Sequence, residues 1–344
     1  MRSDLVCACL PRCRVKVARD IGLAGNMRYD RASIHGCRRQ LTAMFDLTFL
    51  GTSASVPSAD RNHPGLLVST GNTRILVDCG EGTQRQLLRS GAGFRRLRRL
   101  LLTHGHLDHI LGIPGLLSTM RTQQSMEKLV INGGSHTLEV VVRMLAGLWG
   151  EGQAPVPLEL VAISDVAVIQ EDRFTITAFP VRHRDTDSFG YVFKSLTRRH
   201  LDRDRLALMR VPDGPIRKEL AEGRRVTLPD GRIIDPADVL RPLESGSKLV
   251  VIGDAETTDG LNAVVGDANL LVIEATFLQQ DVAIARSYGH LTAAEAASLA
   301  AASNVKRLIL THISGRYSAE AILAEAKAIF TPVQVANDLD HIQI

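Results

Sequence analysis

The sequence predicts an α/β fold, and three observations carry that expectation. From Met44 onward, short apolar runs with strand character alternate with segments of helical periodicity. Apolar residues make up 45% of the 344, enough to bury a large core as one big α/β domain or two smaller ones. Histidines and aspartates recur where the predicted strands end, the usual place for sites in α/β sheets. No apolar run reaches the ~18 residues of a membrane span, so no membrane association is expected.

In chain order, Leu47 to Leu50, Leu66 to Ser69 and Ile75 to Val77 read as strands, the last leading into Asp78-Cys-Gly-Glu-Gly. A helix follows from about Glu81 to Arg89. The run Leu100 to Leu102 is the next strand, and Ile110 to Met120 reads as an apolar helix. Lys128 to Ile131 is predicted as a strand and Thr137 to Leu148 as a helix. Phe174 to Pro180 and Gly190 to Phe193 are strands flanking His183. Ser247 to Ile252 and Leu270 to Ile273 are strands, and Thr292 to Ala302 is an alanine-rich helix with threonine at its N-cap. Arg307 to Leu310 forms a strand ending at His312. A helix from about Ser318 to Phe330 and a short terminal strand complete the chain. The rhythm breaks only from about Lys194 to Ser245, where Asp-Gly-Pro, Glu-Gly and Pro-Asp-Gly turns suggest an inserted arm.

The formal charge of +4 is concentrated at the start. Residues 1–43 hold nine Arg/Lys against three acids, and the remaining 301 residues carry 32 basic and 34 acidic side chains. Overall basicity therefore says little about nucleic acid, and local patches must carry that case. Four cysteines (Cys7, Cys9, Cys13, Cys37) also lie in the leader. Their spacing is poor for a metal module, and the segment lacks the apolar core of a secretory signal. Its composition fits a disordered tail, a transit-like extension or a start codon assigned before Met44. Cys79 alone in the body implies no disulfide framework and fits a reducing cytoplasm.

The stretch Thr103-His-Gly-His-Leu-Asp-His109 follows a buried strand and precedes a helix. His104 and His106, two apart in extended chain, project to one side. Asp108 and His109 can turn toward a neighbouring point as the helix begins. Imidazole and carboxylate suit Zn²⁺, and a catalytic zinc keeps one position open for water. Four ligands from one turn exceed what one open zinc needs and suit two metals side by side. Further candidates end other strands: His183, Asp254 and His312.

The His-x-His-x-Asp-His motif resembles the signature of the metallo-β-lactamase fold. More narrowly, residues 44–344 resemble the ribonuclease Z family, which removes 3′ trailers from precursor tRNA. The resemblance rests on Gly51-Thr-Ser-Ala-Ser-Val-Pro with Arg61 and Asn62, on Gly82-Thr-Gln-Arg-Gln-Leu, and on Glu274-Ala-Thr. It also rests on Gly289-His-Leu-Thr and the closing Thr311-His-Ile-Ser-Gly-Arg-Tyr317. It implies an αββα sandwich of two mixed sheets with an inserted arm, about 194–245. It further implies two Zn²⁺ per subunit, with His104, His106 and His183 holding one, Asp108, His109 and His312 the other, and Asp254 bridging. Such a pair, ~3.5–4 Å apart, activates a shared water and clamps phosphodiester oxygens. Asp108 would orient the water and take its proton, and His290 would protonate the leaving 3′-oxygen with Glu274 holding it. Three departures bear on substrate handling: Ala59 where the family carries lysine, Ile273 where it carries histidine, and Ala255 where it carries threonine.

The likeness also implies substrate contacts from Arg61, Asn62, Ser314, Arg316 and Tyr317, a homodimer, and an arm that grips the tRNA elbow. Lys194 to Arg225 carries ten Lys/Arg against five acids, among them Arg198, Arg199, Arg217 and Lys218. Such a segment can neutralise phosphates without reading bases. A second basic run, Arg85 to Arg99, has six arginines and no acid. At 4% aromatic content, stacking on exposed bases has little support. Two other readings stand beside the nuclease. One is a hydrolase of the same fold acting on a small ester or phosphodiester, such as a cyclic nucleotide or an aryl sulfate. The other is a metal-binding RNA-interaction protein with little turnover.

Overall fold

Period-two burial organises the chain into sheets. Strand β1 (Asp46–Gly51) sends Leu47 and Phe49 to one face and Leu50 to the other. The computed structural model describes residues 44–123, 128–196, 201–241 and 246–344. After β1 come β2 (Gly65–Thr70), β3 (Thr73–Val77), α1 (Thr83–Arg89), β4 (Leu97–Leu101), α2 (Leu107–Ile110) and α3 (Ile113–Thr122). Next are β5 (Leu129–Gly134), α4 (Ser135–Trp149), β6 (Leu158–Ile163), β7 (Ala167–Gln170), β8 (Phe174–Val181) and β9 (Ser188–Ser195). The inserted region holds α5 (Arg203–Leu208), α6 (Pro215–Ala221), β10 (Val226–Thr227), β11 (Ile233–Ile234) and α7 (Pro236–Val239). The chain continues with β12 (Lys248–Val251), α8 (Asn262–Val265), β13 (Leu270–Glu274), α9 (Val282–Tyr288), α10 (Ala293–Ala302), β14 (Leu308–Thr311), α11 (Ala319–Lys327), β15 (Val333–Val335) and β16 (His341–Gln343).

Two seven-stranded sheets result, ordered β16-β1-β2-β3-β4-β5-β6 and β15-β14-β13-β12-β9-β8-β7. Both mix parallel and antiparallel pairs. Their inner faces pack through Leu47, Phe49, Ile75 and Val77 from the first sheet, and Phe174, Ile176, Phe193, Val251 and Val272 from the second. Phe45 meets Phe174 edge to face at 5.6 Å, the favoured aromatic geometry. The alternate residues, Leu76 and Leu100, face α1, α3 and α4 through Leu87, Leu116 and Val141. On the far side Val250, Leu271 and Leu310 face α10 and α11 through Ala296, Ala300 and Ile322. The layers run helix, sheet, sheet, helix, the architecture the motifs imply.

Sequence periodicity and structure part in several places, among them unpredicted α8 and α9 and two terminal strands, β15 and β16, where one was expected. The helix expected over Ile110 to Met120 is two, α2 and α3, interrupted at Gly112. A Cβ there would lie 2.0 Å from the Gly80 carbonyl oxygen, so the chain breaks where two backbones cross. Strands β6 and β7 were not anticipated although both are mostly apolar; they edge their sheets, and apart from the buried Ile163 their residues are partly or fully exposed. β9 extends through Ser195, so Lys194 belongs to the sheet and the insertion starts after it. That insertion has its own small apolar cluster of Leu206, Val211, Leu220, Val226, Leu228, Ile234 and Val239. The leader, residues 1–43, lies outside the described residues, as do Arg198 and Arg199. No helix among the described residues is long and apolar enough to cross a membrane.

Candidate metal centre

The site forms where β4, β12, β13 and β14 reach their C-terminal ends beside the turn joining β8 to β9. Parallel pairing of β12, β13 and β14 brings their ends to one edge, and β9 runs antiparallel to β12 so that His183 arrives there too. The segment after β4 supplies His104, His106, Asp108 and His109, with His106 capping α2 in extended conformation.

Two donor sets assemble. In the first, His104 Nε2 lies 2.9 Å and His183 Nε2 3.3 Å from His106 Nδ1, and Asp254 Oδ2 is 3.6 Å from His104 and 3.8 Å from His183. In the second, His109 Nε2 and His312 Nε2 are 3.4 Å apart, and Asp108 Oδ2 is 3.7 and 3.5 Å from them. Asp254 Oδ1 faces this set at 3.4 Å from His109 and 3.3 Å from His312. One carboxylate therefore stands between both sets.

Outer partners fix which nitrogens point inward. His183 Nδ1 donates to the Gly289 carbonyl at 2.8 Å. His109 Nδ1 meets Asp78 Oδ2 at 2.8 Å, and Asp78 is itself held by the Thr103 N–H and hydroxyl, both at 2.8 Å. Thr103 Oγ1 also reaches His104 Nδ1 at 3.1 Å. His312 Nδ1 pairs with Thr276 Oγ1 at 3.0 Å, and Thr276 donates to Glu274 Oε2. Such partners set tautomer and ring orientation of metal-binding histidines. Both Asp78 (φ 59°) and His312 (φ 56°) hold left-handed backbone conformations, strain of the kind that persists where the surroundings over-determine a site.

Electrostatics divide the sets. Burial, reinforced by His109, holds His104 well below the ordinary histidine range; burial also lowers His106 and His183. These rings are neutral, the ligating form. Burial opposes charge on His109, but Asp254, Asp78 and Asp108 outweigh it and hold that ring well above the usual range. Burial likewise opposes charge on Asp108 and Asp254, yet the histidines facing them pull both carboxyls far down.

The donor set fits cations. Asp254 Oδ1 is buried and has no hydrogen-bond partner among the described residues, a costly state for a carboxylate oxygen unless a cation compensates it. His104 and His183 bring their Nε2 atoms within 3.3 Å of His106 Nδ1, and the outer nitrogens of His104 and His183 are engaged, so the three rings aim lone pairs at one region. His104, His106, His183 and Asp254 could hold one ion, and Asp108, His109 and His312 a second. The two sets join all seven expected ligands.

His290 stands beside them, its Nδ1 3.1 Å from Glu274 Oε1 and 3.9 Å from Asp254 Oδ2. Burial lowers it, but Glu274 and then Asp254 outweigh that and raise it to about 9. Glu274 is fully buried and also accepts from the Ala255 N–H at 2.7 Å.

The expected substrate contacts differ in their surroundings. Arg61 is half-buried, its guanidinium donating to Thr52 Oγ1, the Ala336 carbonyl and Asn337 Oδ1. Asn62 binds the Glu81 carbonyl through its side chain and Asp338 through its N–H. Both residues hold the β1–β2 loop. Ser314, Arg316 and Tyr317 follow His312, with Arg316 exposed and the Tyr317 hydroxyl on Asp281. In the insertion, Lys218 is exposed, whereas Arg217 donates to the carbonyls of Val211 and Pro212 and pairs with Asp213. Arg95, Arg96 and Arg98 sit at the start of β4, the opposite end of that strand from the histidines. The sequence reading missed Asp78, Thr103 and Thr276. Asp78 had a signal, since it too ends a strand.

Residues 45–201 match the family model described as anti-Pycsar protein Apyc1, and residues 238–313 match the beta-lactamase superfamily domain. Over 301 residues the chain is 66% identical to a ribonuclease Z of Bradyrhizobium diazoefficiens, covering 88% of this chain and all of that one. It is 37% identical over 305 residues to a ribonuclease Z of Archaeoglobus fulgidus, covering 88% and 98%. The crystal structure of the short form of human tRNase Z matches with a TM-score of 0.61 at 25% identity, over 87% of this chain and 99% of that one.

Proposed function

Because this chain belongs to the ribonuclease Z family, endoribonucleases of the metallo-β-lactamase fold, we propose that it removes the 3′ trailer of precursor tRNA, leaving a 3′-hydroxyl. The hydrolytic half rests above all on Asp254, whose two oxygens face the two donor sets at 3.3–3.8 Å. The tRNA half is supported by the likeness to human tRNase Z.

Two Zn²⁺ per subunit are the proposed cofactors, though Mn²⁺ also suits His/Asp donors. When bound they would supply an activated water at neutral pH and a clamp on phosphodiester oxygens. The chain's own residues do the rest. Asp108, held anionic by His109 and His312, orients the attacking water and accepts its proton through Oδ2. His290, charged beside Glu274, gives a proton to the departing 3′-oxygen. Glu274 keeps that ring oriented because its other oxygen is tied to Thr276. Ser314, Arg316 and Tyr317, next to His312, are proposed to face the RNA, and Lys218 with the insertion to meet tRNA phosphates. Arg61 and Asn62 would act on RNA through the loop they hold.

A homodimer in which one subunit's insertion serves the other's site goes with this reading. A cytoplasmic location is proposed too, supported by Cys79, the one cysteine among the described residues, which is buried and unbridged. The deciding experiment maps cleavage of a precursor tRNA by the purified chain with Zn²⁺. A single cut at the trailer junction with a 3′-hydroxyl product is expected. Hydrolysis of a chromogenic phosphodiester without tRNA cleavage would replace this reading with that of a small-ester hydrolase.

A further inference from the structure

Ser55, in the β1–β2 loop, has a left-handed backbone (φ 49°). Its N–H donates to Asp108 Oδ2 at 3.1 Å, the same oxygen that faces His109 and His312. Its carbonyl lies 3.2 Å from His63 Nε2. A carbonyl only accepts, so Nε2 carries the ring proton. His63 is 7% exposed, and its Nδ1 has no hydrogen-bond partner among the described residues. A leucine or methionine would fill this volume without leaving a buried nitrogen unsatisfied, so packing alone does not account for histidine here. What histidine adds is the donor to Ser55.

The backbone around that residue is tightly packed. A Cβ at Gly80 would come within 2.4 Å of His63 Cβ and 2.3 Å of the Asp108 carbonyl oxygen, so only glycine lets the loop at His63 and the Asp108 backbone meet. The rest of the loop is stitched to the segment after His312 and to itself. The Ala54 N–H donates to the Ile313 carbonyl at 3.1 Å, the Ile313 N–H to that of Thr52 at 2.8 Å, and the Ser53 N–H to that of Asn62 at 2.9 Å.

We propose that His63 is a positioning residue: through the Ser55 carbonyl it holds the strained Ser55 peptide so that its N–H fixes the Asp108 carboxylate. This rests on the reading of Asp108 as the group that orients the attacking water. Left-handed strain at a non-glycine residue persists where the surroundings over-determine it, and His63 supplies the contact on the carbonyl side. Its loss frees Asp108 Oδ2 to rotate without removing any donor from either set.

The test uses the full chain loaded with Zn²⁺, bis(p-nitrophenyl) phosphate as probe, and His63→Leu beside His63→Gln, whose amide can still donate to Ser55. His63→Leu is expected to lower kcat by about tenfold, as loss of an outer-shell partner typically does. KM should stay unchanged and bound zinc at two per chain. His63→Gln is expected to recover most of the rate. In the metal-free chain, hydrogen exchange at the Ser55 amide should quicken by about tenfold in His63→Leu, the equivalent of one lost hydrogen bond. The proposal is overturned if His63→Leu keeps its kcat, if His63→Gln falls as far as His63→Leu, or if Ser55 exchange does not change. Should His63→Leu not fold, Ser55 exchange in the unaltered chain decides: protection supports the proposal, and the rate of a free exposed amide ends it. Absence of tRNA cleavage with the ester still hydrolysed would sink the tRNA reading and leave this inference standing.

Discussion

His290 Nδ1 lies 3.1 Å from Glu274 Oε1 inside a pocket where both side chains are buried, and the carboxylate, not the ring's own chemistry, keeps that imidazole charged. A proton donor matters only when the leaving oxygen needs one. His290→Ala is therefore expected to slow precursor-tRNA cleavage by about 10²–10³-fold. Hydrolysis of bis(p-nitrophenyl) phosphate, whose nitrophenolate leaves unaided, should change by less than about tenfold. Single-turnover rates on both substrates check this, and equal losses would show that His290 serves the centre's structure instead.

Asp254 is the residue whose removal should be felt by both donor sets. Asp254→Ala is expected to reduce bound zinc from two per chain to below one, measured by elemental analysis after gel filtration, and to abolish both activities. Asp78→Asn acts at one remove: it removes no ligand, weakens the partner of His109 Nδ1 directly, and reaches His104 only through Thr103. It should weaken zinc binding by about 10–100-fold with the first set still able to load. Competition with a chromogenic chelator separates the two variants.

The insertion should govern RNA binding and leave ester hydrolysis alone. Arg203, Arg210 and Lys218 are exposed there. Reversing all three charges to Glu is expected to weaken precursor-tRNA binding and to cut the slope of log Kd against log salt by about one per lost phosphate contact. The chromogenic ester should be hydrolysed at the unaltered rate. An unchanged salt slope would place the RNA on another surface.

Tyr191 links the core to the site. It is fully buried, its hydroxyl donates to the Leu102 carbonyl at 2.6 Å, and burial pushes its phenol well above the usual range, so it stays a donor. Tyr191→Phe leaves that carbonyl unpaired two residues before His104. A loss of about 1–3 kcal/mol is expected, read by denaturant unfolding of the metal-free chain. A variant as stable as the parent would mean that Leu102 finds another donor.

Much of this was legible in the chain itself. The apolar alternation of Leu47, Phe49 and Leu50, or of Leu271 and Val272, announces strands that bury both faces, because side-chain direction flips at every residue of extended chain. The donors were legible too, since His104 to His109, His183, Asp254 and His312 each follow a buried run. What sequence could not reveal is how these ends meet. Asp254 is 145 positions from His109 and 58 from His312, and only the pairing of β12 with β9 and β13 turns its two oxygens toward different sets. The same limit hid the roles of Asp78, Thr276 and His63, and the bonds by which Arg61 holds the β1–β2 loop. Local pattern records which residues can be buried or can ligate, since burial and donor chemistry belong to single side chains. Which nitrogen faces inward, and which carboxylate is shared, depends on distances across strands, and those exist only once the sheets have closed.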